Sequence, residues 1–343
     1  MNWNNGFSSI YYATVVDPQS WRDILDDGSP RFEIMSGDIS RTSSGLRESA
    51  DIQCRNRRPR GEQWIRIYLD TRQGGSSEHT AIFTGLATSP ERDIDGNRED
   101  NPLECYSVLK ACEDVMLPKG WFAPANSNGA EIVKTLLEET TPAPVEISGV
   151  APKLREHIVA EADENHLSMA DKVLMSMGWR LRIQGDGRIV ICPPATEISA
   201  TFDSIENDSI RPQVNIKDDW YSCPNVFRAT SGDVSATARD DSPDSPLSTV
   251  NRGREVWAND NNCDLSDAES LGDYARRRLA ELQRHSASVS YSRRYNPVVL
   301  VTDKIRLNYP KQDIIGDFVV VSQKVSLGFG AETAEEVERE LRI

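Results

Sequence analysis

Short runs in which apolar and polar residues alternate recur along the chain, and they constrain its fold more than any other feature. In residues 50–54 and 64–69 the apolar side chains occupy every second position. A period of two is typical of a strand with one buried face. A third run follows over residues 79–93, and the polar turn DIDGN comes after it. These strands and turns predict a small β-barrel or sandwich over residues 8–118.

The middle of the chain changes to helical spacing. Residues 126–142 and 166–179 each predict a helix, because apolar residues recur on one helical face. In the second helix Ser168 is the expected N-terminal cap, with Asp171 three residues on, and Gly178 suits the residue after the last turn.

The stretch GWRLRIQGDGRIVICPP, residues 178–194, admits two interpretations. Its glycines and arginines could cradle a phosphate, or the chain could simply turn back. A phosphate loop follows a strand and precedes a helix, whose free N–H groups point at the anion. Here the helix comes first, and alternating strands flank QGDG, which suits a tight hairpin turn. The stretch is therefore predicted to be a hairpin.

The last part returns to β-structure around one clear helix, residues 266–285, with a capping box at Ser266 and Glu269. Strands are predicted at 287–291, as a pair within 298–310, and over 317–329. Residues 233–254 are polar and Pro-rich and predict an exposed or mobile loop. Residues 331–342 predict a short acidic helix or a tail.

Composition excludes several classes of protein. The chain of 343 residues is long enough for two or three domains. It has no run approaching the roughly 20 apolar residues of a membrane-spanning helix, and its start lacks the pattern of a secretion signal. A formal net charge of −15 argues against binding duplex DNA, which requires surplus Lys and Arg. The Arg-rich segments 55–60 and 276–278 are expected to be a hairpin tip and the last turns of a helix.

No motif assigns a catalytic, cofactor-binding or metal-binding residue. The cysteines are scattered without a CxxC pair, which is unfavourable for zinc or a disulfide framework. The four histidines are far apart, and none lies in an HExxH frame. DIDGNRED and DNNCDLSDAE resemble parts of calcium loops, but the first has Gly96 at position four instead of six and the second has Leu265 at the glycine position. There is no GxSxG nucleophile motif. The expectation is a protein without enzymatic activity or cofactor.

The order of segments resembles that of phage tail baseplate hub proteins. The resemblance rests on AIFTGLATSPERD, PLECYSVLKACEDV, the helix–hairpin of residues 177–194, PNVFRATSGD, and the closing series SLGDYARRRLAELQ, SASVSYS, TDKIRLNY and FVVVSQKVSLGF. It extends over nearly the whole chain. The sequence departs from the family pattern at Tyr106 and Ser107, where Tyr-Asp is frequent, and in the length of the 233–254 loop.

The resemblance implies a mainly β fold with α+β insertions, in which two small tube-like β-barrels are joined by a helix-containing middle domain. The implied domains are an N-terminal barrel over 1–118, an α/β middle domain over 119–204, and a second barrel with an inserted loop and helix over 205–343. The two barrels are expected to superimpose.

The function implied is that of a structural hub in a virion tail. A homotrimer would present six barrels, matching a sixfold tail tube or distal tail protein above and a central spike or tip protein below. The tape-measure protein is a further implied partner, and DNA would pass through the lumen without specific binding. The edges predicted to join neighbouring copies are residues 63–69 and 298–307, because exposed strand edges invite pairing.

Two alternative functions stay open at this stage. One is a cell-wall glycan hydrolase with a carboxylate pair, although 54 acidic residues make any such pair uninformative. The other is a carbohydrate-binding receptor module of a tail, since the chain contains 7 Trp. The scatter of these tryptophans along the chain favours core or interface positions.

Overall fold

The computed structural model of the protein describes residues 6–25, 32–55, 61–89, 93–95, 98–205, 209–218, 220–261, 263, 268–284, 287–328 and 332–339. The fold is mainly β, with helices between groups of strands. The strands are β1 (Ser8–Val16), β2 (Asp23–Ile24), β3 (Phe32–Thr42), β4 (Glu48–Arg55), β5 (Gln63–Gln73), β6 (Ser76–Thr88), β7 (Asp93–Asp95), β8 (Arg98–Ser107), β9 (Phe122–Ala123), β10 (Val145–Ile147), β11 (Ile158–Val159), β12 (Arg180–Ile183), β13 (Ile189–Cys192), β14 (Ile198–Asp203), β15 (Ile210–Asp218), β16 (Val226–Ser231), β17 (Val234–Arg239), β18 (Trp257–Asp260), β19 (Ala287–Arg294), β20 (Lys304–Tyr309), β21 (Ile314–Ser326) and β22 (Glu332–Arg339). The α-helices are α1 (Lys110–Glu113), α2 (Gly129–Glu138), α3 (His166–Met177), α4 (Thr249–Arg252) and α5 (Ala268–Arg284).

The first barrel closes on itself. Its strands follow the order β3-β4-β8-β6-β5-β1, and β1 pairs back onto the start of β3 through Ala13 and Phe32. All of these pairings are antiparallel. The alternation predicted for residues 50–54 and 64–69 is confirmed, because every second side chain of those strands faces an apolar interior.

The second group of strands repeats the same order without the closing pair. Numbered one to six in chain order, the strands of the first barrel run 2-3-6-5-4-1 around the sheet. The second group, β15-β19-β22-β21-β20-β14, also runs 2-3-6-5-4-1. In the described residues no ladder joins β14 to β15, so this second barrel has an open seam. A further difference is that β14 pairs with β20 in parallel, whereas β1 and β5 are antiparallel.

The segment between the barrels has its own core. Helices α2 and α3 pack on the small sheet β10-β13-β12 around buried residues such as Leu137, Leu174 and Ile191. Both predicted helices and the predicted hairpin are confirmed, and Gly178 ends α3 in the left-handed conformation. The predicted cap is wrong: α3 starts at His166, and Asn165 caps it by accepting a hydrogen bond from the Ser168 amide at 2.8 Å.

A fourth unit is inserted between β15 and β19. The three-stranded sheet β17-β16-β18 carries helix α5 on one face, with Phe227, Leu271 and Leu279 in the core between them. The predicted loop over 233–254 is confirmed only for residues 240–248, because the range also includes β17 and α4 and is anchored by buried polar side chains. Asn225, fully buried, donates to the carbonyls of Leu247 and Arg254 and accepts from the Val256 amide.

Three further predictions are corrected by the strand assignments. The acidic segment near the end forms strand β22 rather than a helix, and its acidic residue Glu335 faces inward against Arg293. Residues 298–303 form turns and not a strand, because the Asp303 carboxylate accepts a hydrogen bond from the Leu300 amide. The turn predicted at DIDGN begins with strand β7. Residues 56–60 of the expected hairpin tip and the capping residue Ser266 lie outside the described residues.

Candidate functional site at the junction of the barrels

Two strands exchange partners and thereby fuse the barrels into one continuous sheet. The start of β3 pairs with β1 in the first barrel, whereas residues 38–42 of β3 pair with residues 322–326 of β21. The first part of β21 pairs with β20 in the second barrel. Apolar side chains of the second group, including Val325 and Leu327, complete the core of the first barrel. The two barrels therefore share hydrogen bonds and core rather than a flexible linker.

A bulge and a glycine redirect β3 at this exchange. The register with β4 shifts between Ile34 and Ser36, and Gly37 follows with φ of 151°. A Cβ at Gly37 would lie 2.3 Å from the Asp51 carbonyl oxygen, which no side chain tolerates. A bulge bends a strand and increases its twist. Gly37 therefore permits the close approach that lets one strand serve both barrels.

The QGDG turn of the β12–β13 hairpin docks on the outer face of the first barrel. The Asp186 carbonyl accepts hydrogen bonds from Trp21 Nε1 at 3.0 Å and Arg66 Nη2 at 3.1 Å. The Gly185 carbonyl accepts from Thr84 Oγ1 at 2.8 Å. A Cβ at Gly185 would lie only 1.9 Å from the Ala81 carbonyl oxygen. The turn presents acceptors to the barrel, opposite to the donors that a phosphate cradle needs.

Ion pairs hold the middle segment against both barrels. Arg47, in the β3–β4 turn, pairs with Asp171 of α3 at 2.5 Å. Arg182 of the hairpin pairs at 3.0 Å with Asp303, whose side chain is almost completely buried in the second barrel. Burial is the main cause that raises the pKa of Asp303, and Arg182 opposes it.

A buried acid and base lie where the three units meet. Arg41 Nε is 3.6 Å from Glu48 Oε2, and both side chains are buried. They line a small cavity together with Leu181 of the hairpin and Val301 of the second barrel. Burial raises the pKa of Glu48 to about 8, and Arg41 only partly offsets this. The protonation of Glu48 is therefore coupled to the packing of this junction.

The interior of the second barrel contains an ion pair. Arg293 donates to both carboxylate oxygens of Glu335, at 2.7 and 2.5 Å. The same carboxylate accepts from the Tyr291 hydroxyl at 2.8 Å and from Gln323 Nε2 at 2.6 Å. Burial, followed by the Glu335 charge, raises the pKa of Tyr291. Burial alone would favour the neutral form of Arg293, and Glu335 raises the pKa of Arg293 against it.

Both strand edges predicted to join neighbouring copies are wrong. Residues 63–69 lie in β5, which is paired on both sides by β1 and β6. In residues 298–307 the strand β20 is paired on both sides by β14 and β21. In the part of the chain that the structure describes, the open edges of the second barrel belong instead to β14 and β15.

The sequence-level candidates for chemistry are not brought together. His79 lies beside Asp70 at 2.6 Å, His157 contacts Phe122, and His166 lies near Glu139. His285 and residues 262 and 264–267 lie outside the described residues, as do the side chains of residues 93–100, 268 and 269. Within the described residues, no group of three or more His, Cys, Asp or Glu could hold a metal ion, and the cysteines are free thiols. No described helix has the length and apolarity needed to cross a bilayer.

Sequence reasoning missed the residues that hold the junction. Trp21, Arg66 and Thr84 contact the hairpin tip from positions 101 or more residues away in the chain. The available signal was the pair of glycines in the turn. Position 185 must be glycine because the backbone approaches the Ala81 carbonyl closely, and Gly187 supplies the positive φ of the turn.

Solved structures of tail proteins share this fold. No family model and no curated protein matches the sequence. The tail protein from Neisseria meningitidis MC58 aligns over 98% of this chain and 97% of its own, with a TM-score of 0.71 and 15% identity. The 43 kDa tail protein of prophage MuSo2 from Shewanella oneidensis aligns over 97% and 98%, with a TM-score of 0.69 and 14% identity.

A third similar structure is an E. coli component of the type VI secretion system, itself described as similar to the bacteriophage T4 tail proteins gp27 and gp5. It aligns over 91% of this chain and 74% of its own, with a TM-score of 0.57 and 10% identity. The fold implied by the resemblance to baseplate hub proteins is thus confirmed: the chain has the mainly β fold of phage tail proteins.

Proposed function

We propose that the chain is a structural hub protein of a phage tail, or of a related injection machine, and that three copies form a ring. The observation that carries the proposal is the repeated strand order 2-3-6-5-4-1 in two barrels of one chain. Three such chains supply six barrels, so the ring can contact a sixfold tube on one side and a threefold spike on the other.

The shared sheet between the barrels suits this role. Because β3 and β21 pair directly, the angle between the two barrels is fixed by backbone hydrogen bonds. A ring with closed symmetry needs such a fixed angle, since a variable one would allow open or irregular assemblies. The ion pairs of Arg47 and Arg182 support the same geometry from the middle segment.

The open seam of the second barrel supplies the contact between copies. Ring closure requires a heterologous interface, in which the second barrel of one chain meets the first barrel of the next. Strands β14 and β15 have unpaired edges among the described residues, and Ile216 of β15 is 45% exposed. Unpaired edges and exposed apolar side chains both favour association.

The expected partners follow from a position at the end of the tail. They are the tail tube or distal tail protein, the central spike or tip protein and the tape-measure protein. DNA passes through the lumen, and a net charge of −15 suits a channel that does not retain phosphate.

The alternative functions predict different results. A hydrolase would clear peptidoglycan and lose that activity when one carboxylate is replaced, whereas a hub protein clears none. A carbohydrate-binding receptor module would bind host surface glycans as a purified chain.

Counting the copies in the assembled tail tests the proposal. Quantitative mass spectrometry of purified tails is expected to give one copy of this chain for every two subunits in one ring of the tail tube. Equal numbers would contradict the threefold ring. Absence of the chain from purified tails would contradict the structural role altogether.

A further inference from the structure

Opposite helix α5, the sheet of the inserted unit has a face that is mostly exposed among the described residues, although Val226 at its centre is buried. Helix α5 packs on the side of β16 that carries Phe227 and Ala229. The opposite side presents in-register rows across three strands. One row consists of Arg239, Val226 and Trp257, and the next row consists of Thr237, Arg228 and Asn259.

One carboxylate fixes the aromatic ring on this face. Glu255 Oε2 accepts a hydrogen bond from Trp257 Nε1 at 2.9 Å, and its Oε1 accepts from Arg239 Nη2 at 2.6 Å. These two hydrogen bonds lower the pKa of Glu255, so the carboxylate stays ionised at neutral pH. The indole plane of Trp257 is therefore held in place although 46% of the residue is exposed.

Arg228 stacks on that indole. Its guanidinium carbon lies 4.9 Å from the ring centroid. Within the described part of the chain no acidic side chain lies within ion-pair distance of Arg228, whereas Arg239 is paired with Glu255 and Asp241. A stacked guanidinium keeps its in-plane N–H donors free, and these donors match a carboxylate in a bidentate pair. Stacking also restricts the side chain before any partner arrives, which reduces the entropy lost on binding.

From this arrangement we infer that the Arg228–Trp257 face docks an acidic segment of another tail protein, with an Asp or Glu carboxylate on Arg228. Arg and Trp are the residue types that most often dominate protein interfaces. The face belongs to a unit inserted between β15 and β19, so it is separate from the strand edges proposed to close the ring. The assignment of its occupant to another tail protein rests on the proposed function.

Binding of poly-L-glutamate to the full chain, measured by titration calorimetry at low salt, tests the inference. Arg228→Glu is expected to weaken binding at least about tenfold, the loss of one charge-assisted bidentate contact. Trp257→Ala is expected to weaken it several-fold. The matched control is Arg276→Glu, which makes the same charge change at an exposed position of α5 in the same unit, and it is expected to change binding less than about twofold.

Several results would overturn the inference. Equal losses in the Arg228 and Arg276 variants would show general charge attraction. Tighter binding of polygalacturonate than of poly-L-glutamate would assign the face to an acidic glycan. Self-association in sedimentation experiments that Arg228→Glu abolishes would assign it to a second copy. No binding to the wild-type chain would remove the site. Each outcome is independent of the copy number in the ring, so it leaves the proposed function to its own test.

Discussion

The first barrel closes around an apolar core. The second follows the same strand order, has no pairing between β14 and β15 in the described residues, and buries an ion pair. The first core is built from residues such as Phe83, Ile67 and Leu103, each at most 1% exposed. The second contains Arg293 and Glu335 in contact with Tyr291. The comparison shows that strand order is shared while closure and core chemistry differ.

The difference in core chemistry depends on how the second barrel satisfies its buried polar groups. The buried carboxylate of Glu335 accepts hydrogen bonds from three side chains, and Arg293 also donates to the Arg294 carbonyl at 2.7 Å. A buried ion pair is tolerated when its donors and acceptors are filled in this way. In the proposed ring the seam of the second barrel contacts a neighbouring chain, whereas the first barrel closes through pairings within its own chain.

The largest expected effect on the free energy of unfolding comes from breaking the ion pair that only the second core contains. Glu335→Ala leaves the Arg293 charge buried without its partner and is expected to lower the free energy of unfolding by about 3–5 kcal/mol. Urea denaturation measures the loss. The control Glu336→Ala, on the neighbouring position of β22, is expected to change stability by less than about 0.5 kcal/mol. A loss below about 1 kcal/mol for Glu335→Ala would show that the ion pair does not hold the second barrel.

The next effect tests how the first barrel is held to the middle segment. Gly185→Ala places a Cβ against the Ala81 carbonyl, so the hairpin tip must move and lose its hydrogen bonds to Trp21 and Arg66. The expected loss is about 1–3 kcal/mol by thermal or urea unfolding. Gly272→Ala, in helix α5 with open space around it, is the control and is expected to stabilise by about 0.5–1 kcal/mol. A neutral result for Gly185→Ala would contradict the docking of the tip.

A third effect is a pH dependence of the free energy of unfolding at the junction. The pKa of Glu48 is about 8 in the folded protein, raised by burial, against an ordinary value near 4.5. The folded state therefore holds a proton that the unfolded state has lost, and stability falls as pH rises from about 5 to about 8, by at most about 1.4 kcal/mol per pH unit.

Urea titrations of the wild type and Glu48→Gln across this pH range isolate the contribution of Glu48. The stability of the wild type relative to the variant is expected to decline with rising pH, because the amide cannot ionise. Glu336→Gln serves as the partly exposed control. If the difference in free energy of unfolding between the wild type and Glu48→Gln did not vary with pH, a raised pKa at Glu48 would be contradicted.

The local sequence pattern was sufficient to predict those elements whose conformation is determined by neighbouring residues. The alternation at 50–54 predicts β4, and Gly178 predicts the end of α3, because side-chain period and left-handed backbone conformation are properties of a few neighbouring residues. The QGDG turn was predicted for the same reason.

Local pattern failed where a distant residue changes the environment. Residues 233–254 look solvated by composition, yet Asn225 supplies the buried hydrogen bonds that order them. Residues 332–339 look too acidic for a strand, but Arg293 neutralises the one glutamate that faces inward. Strand edges were mispredicted because pairing order is a long-range property. Nothing in residues 63–69 reveals that both neighbours of β5 are occupied.

A density map of the assembled tail tests the central claim most directly. The account predicts three copies in one layer, with first and second barrels alternating around the axis and the β14–β15 seam against a first barrel of the next chain. The lumen is expected to be open and lined by acidic side chains. Six copies in that layer, or a lumen lined chiefly by Lys and Arg, would contradict it.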